Sequence, residues 1–177
     1  MYKLYVLGIA DSTLSIEQEK ILAQCSLIVG TKRFLELAAD LPCRFMAITP
    51  LAAALDSIHT TLQEGNVAVL ASGDPLFYGI GRRLLAEFPE DSVLVYSALS
   101  SIQRACALFK LPWDDAKITS LHGRNSGHIP GLLLSYQKNL VLTDGNNSPD
   151  QIASQLLDYL QLIGETVLPD TIKMMVA

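Results

Sequence analysis

The feature that most limits what this chain can become is a series of short β-branched runs that stay apolar on consecutive residues, at positions 3–7, 27–30, 45–49, 67–71 and 93–96. A strand wetted on one face alternates apolar and polar side chains, so a strand that does not alternate is covered on both faces. Between the runs lie stretches of helical spacing. Ser15, followed three residues on by Gln18, forms a capping box for a helix to about Gln24, and 31–39, 51–63, 81–88 and 101–109 continue the alternation. Repeated β-α-β units joined by short turns predict an α/β fold with a mostly parallel sheet, because parallel neighbours need a crossover and crossovers are usually helices.

The pattern breaks where Lys110-Leu111-Pro112-Trp113-Asp114-Asp115 brings together a proline, an aromatic and two acids. This reads as a linker, 111–115, between an N-terminal α/β domain, 1–110, and a smaller C-terminal α/β domain, 116–177. In the second domain 117–121 and 140–143 read as strands of a mixed sheet. Ser148 as N-cap, Pro149 at N1 and Gln151 at N3 start a helix to Leu160. The run 171–176 reads as a strand entering the same sheet. With no turn or return strand after it, the second domain is expected to be incomplete, truncated at the C-terminus.

Composition narrows the partners. Hydrophobic residues make up 50% of the 177, and 18% are charged against a usual ~25%, enough apolar material for a well-buried core and against disorder. Eighteen acidic against 13 basic residues leave a net charge of −5. That is the wrong sign for nucleic acid or an anionic membrane, so a polyanionic ligand requires a local gathering of basic groups. The uncharged run 125–137 is broken by Gly and Pro and falls short of the ~18 apolar residues of a membrane span. The apolar stretch 4–10 meets Asp11 without a small-residue cleavage site and reads as a strand, not as a signal for export. Cys25, Cys43 and Cys106, odd in number and widely spaced in apolar surroundings, suit reduced thiols in a cytoplasm. No pair has metal-ligand spacing, and no metal is expected.

Several catalytic motifs are absent from the sequence: GxxxxGK[ST], GxSxG, HExxH and the EF-hand loop. Gly79-Ile80-Gly81-Arg82-Arg83-Leu84 approaches a dinucleotide fingerprint but carries Leu84 where the third glycine belongs and does not leave a strand directly. The segment richest in chemistry is ASGDPLFYGIG, 71–81, at the carboxyl end of a buried strand, where open α/β sheets bind ligands. Gly73 permits close backbone approach, Asp74 offers a carboxylate, Pro75 fixes the turn, and Phe77 and Tyr78 add aromatic surface. An ordinary Asp-Pro turn capping the next helix satisfies the same spacing. Comparable strand ends carry Gly8-Ile9-Ala10-Asp11 and 97–102, and for Ser100 and Ser101 helix N-capping is the competing account. Ser120-Leu121-His122-Gly123-Arg124 makes a fourth polar loop. His122 and His128 are six apart, poor spacing for a metal.

Taken in order, VLGIAD, SGDPLFYG, LSSIQRACALFKLPW, SLHGR and LTDGNNSPDQIA resemble the tetrapyrrole methylases, the class III S-adenosylmethionine-dependent methyltransferases, across essentially the whole chain. The GDP-aromatic element marks that family generally. SLHGR with the TDGxxSP-like segment is similar to the branch acting late in cobalamin biosynthesis, which methylates the corrin ring at carbon 5, alone or as the N-terminal half of a fusion with a second methyltransferase. Two departures stand out. Ala10-Asp11-Ser12-Thr13 replaces the several glycines and Pro common in the family's first loop, and Ser97-Ala98 replaces the Pro-Gly common before the Ser-Ser pair.

The resemblance implies a kidney-shaped pair of α/β domains with S-adenosylmethionine folded in the cleft between them and S-adenosylhomocysteine as product. It also implies a precorrin as small-molecule substrate, a homodimer, and no nucleic acid or membrane partner. Carried over residue by residue, Ile9, Ser72, Gly73, Asp74, Phe77, Tyr78, Ala98, Leu99, Ser100 and Ser101 fall on cofactor-facing loops, and Leu121 and His122 close the cofactor in from the second domain. Methyl transfer from a sulfonium asks mainly for alignment and exclusion of water. His122 is the candidate base for the ring proton, a structural His bonding its own loop being the alternative. Arg82, Arg83, Arg104 and Arg124 are the available partners for substrate carboxylates, Arg124 first because it neighbours His122, with solvated surface charge the alternative for each. Rival readings are a methylase of the same fold acting on a modified protein histidine, as diphthine synthase does, or on ribosomal RNA ribose, and a non-catalytic nucleotide-binding module.

Overall fold

The structure is a computed structural model describing residues 2–10, 12–123, 127–165 and 172–177. Two compact units divide it, Met1–Ser101 and Ile102–Ala177, and the 111–115 segment lies within the second.

In the first unit β1 (Leu4–Ile9), β2 (Cys25–Gly30), β3 (Arg44–Ala47), β4 (Asn66–Ser72) and β5 (Val93–Tyr96) form one sheet in the order β3-β2-β4-β1-β5. Every pairing is parallel. The crossovers are α1 (Ile16–Leu22), α2 (Lys32–Leu35, continued by a 3-10 turn at Glu36–Ala38), α3 (Leu51–Thr61) and α4 (Gly81–Glu87). Crossovers of one hand put their helices on one face while the chain moves one way along the sheet and on the other when it returns. So α1 and α2, leading outward from β1 to β3, cover one face, and α3 and α4, leading back to β4 and β5, cover the other.

The two cores follow from strand parity. Leu4 lies opposite Val67 and Val93, and Val6 opposite Val69. These side chains pack with Leu27 and Val29 against Ala54, Leu55 and Ile58 of α3 and Leu84 of α4. The alternate residues Leu7, Ile9, Ile28, Ala68 and Leu70 pack against Ile21 and Leu22 of α1 and Phe34 of α2. This is why the runs of β1, β2 and β4 read as continuously apolar, since both parities are buried; the runs of the edge strands β3 and β5 are equally apolar but only partly covered, with Phe45, Ala47 and Leu94 exposed. One irregularity adjusts the pattern. β2 bulges against β4, with Cys25 opposite Asn66 but Leu27 opposite Val67, and the extra residue turns Cys25 onto the α1 face beside Ile28.

The predicted helices form, with α1 opened by the Ser15–Gln18 capping box. The helix expected over 31–39 is shorter: the Thr31 side chain makes no capping hydrogen bond, and the chain tightens to 3-10 geometry at 36–38.

In the second unit α5 (Ser101–Phe109) leads to β6 (Lys117–Ser120), α6 (Ile129–Leu134), β7 (Asn139–Leu142) and α7 (Pro149–Leu162). β6 and β7 are parallel, from Lys117 opposite Asn139 to Ser120 opposite Leu142. Leu121, Ile129 and Ile152 centre a small core. α7 begins as its sequence dictates, with Ser148 and Gln151 capping reciprocally. α6 went unread because Pro130 and Gly131 look like breakers, although a proline in the first turn of a helix loses no hydrogen bond. Among the described residues no antiparallel strand joins β6 and β7, so the mixed character expected of this sheet is not seen in them. Residues 172–177 are exposed and outside any strand, lacking a described neighbour to pair with, which corrects the strand expected at 171–176; Thr171 lies outside the described residues. Among the described residues no helix is long and apolar enough to cross a membrane.

Candidate functional site

At the carboxyl edge of the first sheet the chain leaves β1 toward α1 on one face and leaves β4 toward α4 on the other. This reversal between adjacent parallel strands is the point at which open α/β sheets form a ligand crevice. The loops after β1, β4 and β5 meet there backbone to backbone. A Cβ on Gly8 would stand 2.1 Å from the Gly73 carbonyl oxygen and 2.7 Å from the Ala98 nitrogen. One on Gly73 would meet the Ser100 Cα at 3.1 Å and the Leu99 carbonyl oxygen at 3.3 Å, and Gly73 holds φ +61°, a left-handed conformation cheap only for glycine. The Gly73 N–H donates to the Ile9 carbonyl at 2.9 Å. Two glycines thus let the three segments approach backbone to backbone, with the Pro75 ring packed alongside Gly8.

The junction gathers most residues expected there. Ile9, Gly73 and Ser100 are buried in it, Asp74, Phe77 and Ala98 are half-buried, and Ser72, Tyr78, Leu99 and Ser101 are exposed. Leu99 stands 59% exposed, a large apolar side chain offered to solvent beside buried Ser100.

Beyond Gly73 the loop braces itself. The Asp74 carboxylate accepts the Leu76 N–H at 2.8 Å, and the Phe77 N–H donates to the Asp74 carbonyl at 3.1 Å. The Pro75 carbonyl accepts the Gly81 N–H at 2.8 Å and is approached so closely that a Cβ on Gly79 or Gly81 would lie within 2.7 Å of it. Asp74 therefore does brace a turn but does not cap α4, whose N-cap is Ile80 with no side-chain bond. Tyr78 is held at φ 54°, unusual for a non-glycine, with its ring edge-on to Phe77 at 5.0 Å.

The arginines separate. Arg82 stands exposed in the first turn of α4, while Arg83 pairs with Glu87 at 3.1 Å. Arg104 stands exposed on α5, and Arg124 lies outside the described residues. Arg33, on α2, was not anticipated. Its Nη2 donates to the Ser72 Oγ at 3.3 Å, and its guanidinium lies 4.4 Å over the Phe34 ring.

In the second unit Leu121 is buried and His122 exposed, at the end of β6. Sequence reading missed what fixes this loop. The Asp144 carboxylate accepts the Gly123 N–H at 2.6 Å and the Asn146 and Asn147 N–H groups at 2.9 and 2.8 Å. Buried Asn147 donates from Nδ2 to the Leu121 carbonyl at 2.9 Å. The backbone on both sides of His122 is thus tied to the β7–α7 loop. The Gly123 amide, foremost among these donors, holds the Asp144 carboxyl below the usual carboxylate range. The signal was present: Asp144-Gly145-Asn146-Asn147 before a capped helix is an Asx-turn pattern.

A shallow depression of about 550 Å³ lies elsewhere, at the amino end of β2 and beside β3, lined by Cys25, Cys43 and Arg44 among others. Burial pushes the Cys25 thiol up to about 12 and raises that of Cys43. All three cysteines are free, and among the described residues no cluster of three potential ligands could hold a metal.

A family model of the tetrapyrrole (corrin/porphyrin) methylases matches residues 3–167. The cobalt-precorrin-7 C(5)-methyltransferase of Salmonella typhimurium is 35% identical over 149 residues, covering 79% of this chain and 71% of that one. The decarboxylating precorrin-6Y C(5,15)-methyltransferase of a Sinorhizobium species is 30% identical over 160 residues, 87% of this chain but 38% of that one. Among solved structures, the precorrin-6Y methylase of Archaeoglobus fulgidus superposes with a TM-score of 0.64 at 25% identity, covering 85% of this chain and 77% of that one.

Proposed function

The chain belongs to the tetrapyrrole (corrin/porphyrin) methylases, and from that premise we propose that it transfers a methyl group from S-adenosylmethionine to carbon 5 of a precorrin or cobalt-precorrin in cobalamin biosynthesis. The observation that carries the reading is the junction of Gly8, Gly73 and Ser100 at the carboxyl edge of the first sheet, where close backbone packing leaves Ser72, Asp74, Ala98 and Leu99 at its border.

The residues present fit the cofactor. A sulfonium is a cation, and the border supplies acceptors suited to it: the Asp74 carboxylate and main-chain carbonyls, with Leu99, Phe77 and Tyr78 as apolar surface for the adenosine. Bound there, S-adenosylmethionine supplies an electrophilic methyl group. Ser72, Gly73, Asp74 and 98–101 would hold and orient it, and the glycine-closed loops would stiffen that arrangement, since alignment and exclusion of water are what an in-line methyl transfer requires. We assign to Leu121 and His122 a contact with the cofactor, to an imidazole nitrogen of His122 the acceptance of the ring proton, and to Arg82, Arg104 and Arg124 the substrate carboxylates. The working form in this proposal is a cytoplasmic homodimer.

The test is calorimetry with S-adenosylhomocysteine, followed by incubation with cobalt-precorrin-7 and S-adenosylmethionine and mass detection of one added methyl. Binding without transfer to the corrinoid would reject the substrate; neither binding nor transfer would reject the methyltransferase reading for this chain.

A further inference from the structure

We propose that Arg33 receives a carboxylate of the tetrapyrrole substrate at the carboxyl edge of the first sheet, an inference that rests on the corrinoid reading above. β2 lies directly beside β4, so the helix that follows β2 stands next to the end of β4. Ser72 shares its β4 parity with Ala68 and Leu70, the residues facing α1 and α2, and its hydroxyl is turned toward α2. The Arg33 Nη2 reaches it at 3.3 Å.

Two features distinguish this guanidinium from a solvated surface cation. It lies over the ring of Phe34, which is buried, so the fork rests on an aromatic held in the core. It also has no acidic partner among the described residues, unlike Arg44, which pairs with Glu64, and Arg83, which pairs with Glu87. One N–H engaged by a serine oxygen leaves donors for a bidentate carboxylate, which a planar fork accepts and a lysine ammonium does not. In a chain of net charge −5, a cation with no acidic partner among the described residues, placed beside the site loops, is what a polycarboxylate ligand needs.

The experiment measures corrinoid KM, kcat and S-adenosylhomocysteine affinity for the full chain and for Arg33→Gln, Arg33→Lys and, as a charge-matched control away from the site, Arg44→Gln. The proposal expects Arg33→Gln to raise the KM for cobalt-precorrin-7 about tenfold, with kcat within about twofold and cofactor affinity unchanged. Arg33→Lys should fall between, Arg44→Gln should match the parent, and added salt should narrow the gap between parent and Arg33→Gln. A KM unmoved by Arg33→Gln in a chain that does methylate the corrinoid overturns the proposal alone. So does a loss of S-adenosylhomocysteine affinity with KM unchanged, which assigns Arg33 to the carboxylate of the cofactor. A parent that binds S-adenosylhomocysteine yet takes no cobalt-precorrin-7 overturns the substrate reading and this proposal with it.

Discussion

Replacing Gly8 by alanine tests whether the glycine junction is what shapes the site. The new methyl group would sit 2.1 Å from the Gly73 carbonyl oxygen, where ordinary contact begins near 3.4 Å, so the β1 and β4 loops must part by about 1.3 Å. The obstructing atoms at 2.1 and 2.7 Å are backbone of two other loops, and no rotamer change relieves them. Overpacking of this kind costs about 1–3 kcal/mol, and rigid obstacles place Gly8→Ala at about 3 kcal/mol. For a chain of this length that lowers the melting temperature by roughly 6–12 °C. Because misplacement of a site by about 1 Å costs on the order of a hundredfold in rate, S-adenosylhomocysteine affinity and turnover should fall together in whatever fraction stays folded. Gly145→Ala is the control: nothing lies within 4 Å of its Cβ and its backbone is outside the left-handed region, so it should be neutral or slightly stabilising. The measurements are differential scanning calorimetry and isothermal titration with S-adenosylhomocysteine. A Gly8→Ala chain melting within about 2 °C of the parent and binding with the same Kd would refute the view that this contact positions the loops.

Further expectations follow from burial and charge. Leu84 is fully buried between α4 and the sheet, so Leu84→Ala should cost about 2–5 kcal/mol in urea denaturation, well above any exposed leucine such as Leu108. The Asp144 carboxyl titrates below its usual range, so the tie to Gly123 is present above the ordinary carboxylate value and is lost as pH falls through the lower folded value. Hydrogen exchange at the Gly123 amide should therefore quicken, relative to neighbouring amides, only once pH has fallen below the ordinary carboxylate value of about 4, and in Asp144→Ala at every pH; an unchanged Gly123 rate in that variant would remove the tie. The Cys25 thiol lies near 12, above an unfolded value near 9, so its contribution is intact below pH 9 and declines as pH rises from there, because the unfolded chain ionises first. Cys25→Ala should flatten that alkaline decline in urea midpoints, and parallel declines in both chains would count against it.

What was readable in the sequence is what short-range rules decide. Val67 to Ala71 is apolar on both parities because both faces of β4 are covered, so the strand and its burial could be read together. Gly8 and Gly73 were readable for the same reason: at a closed backbone junction only glycine fits, and the residue type announces the geometry. The Ser148-Pro149-Asp150-Gln151 start of α7 is decided within four residues. The links that were missed join segments far apart in the chain. Arg33 to Ser72 spans 39 positions, Asn147 to Leu121 spans 26 and Asp144 to Gly123 spans 21. No local pattern selects Arg33 over Arg83, because the choice is made by strand order. With β2 next to β4, the cation after β2 faces the serine that ends β4, whereas Arg83, one helical turn from Glu87, is neutralised within its own helix. The same logic governs the second loop, where the parallel pairing of β6 with β7 brings Asp144 and Asn147 alongside the residues flanking His122. Contacts at these loops are therefore readable when local backbone geometry demands them, and unreadable when only the order of strands brings the residues together.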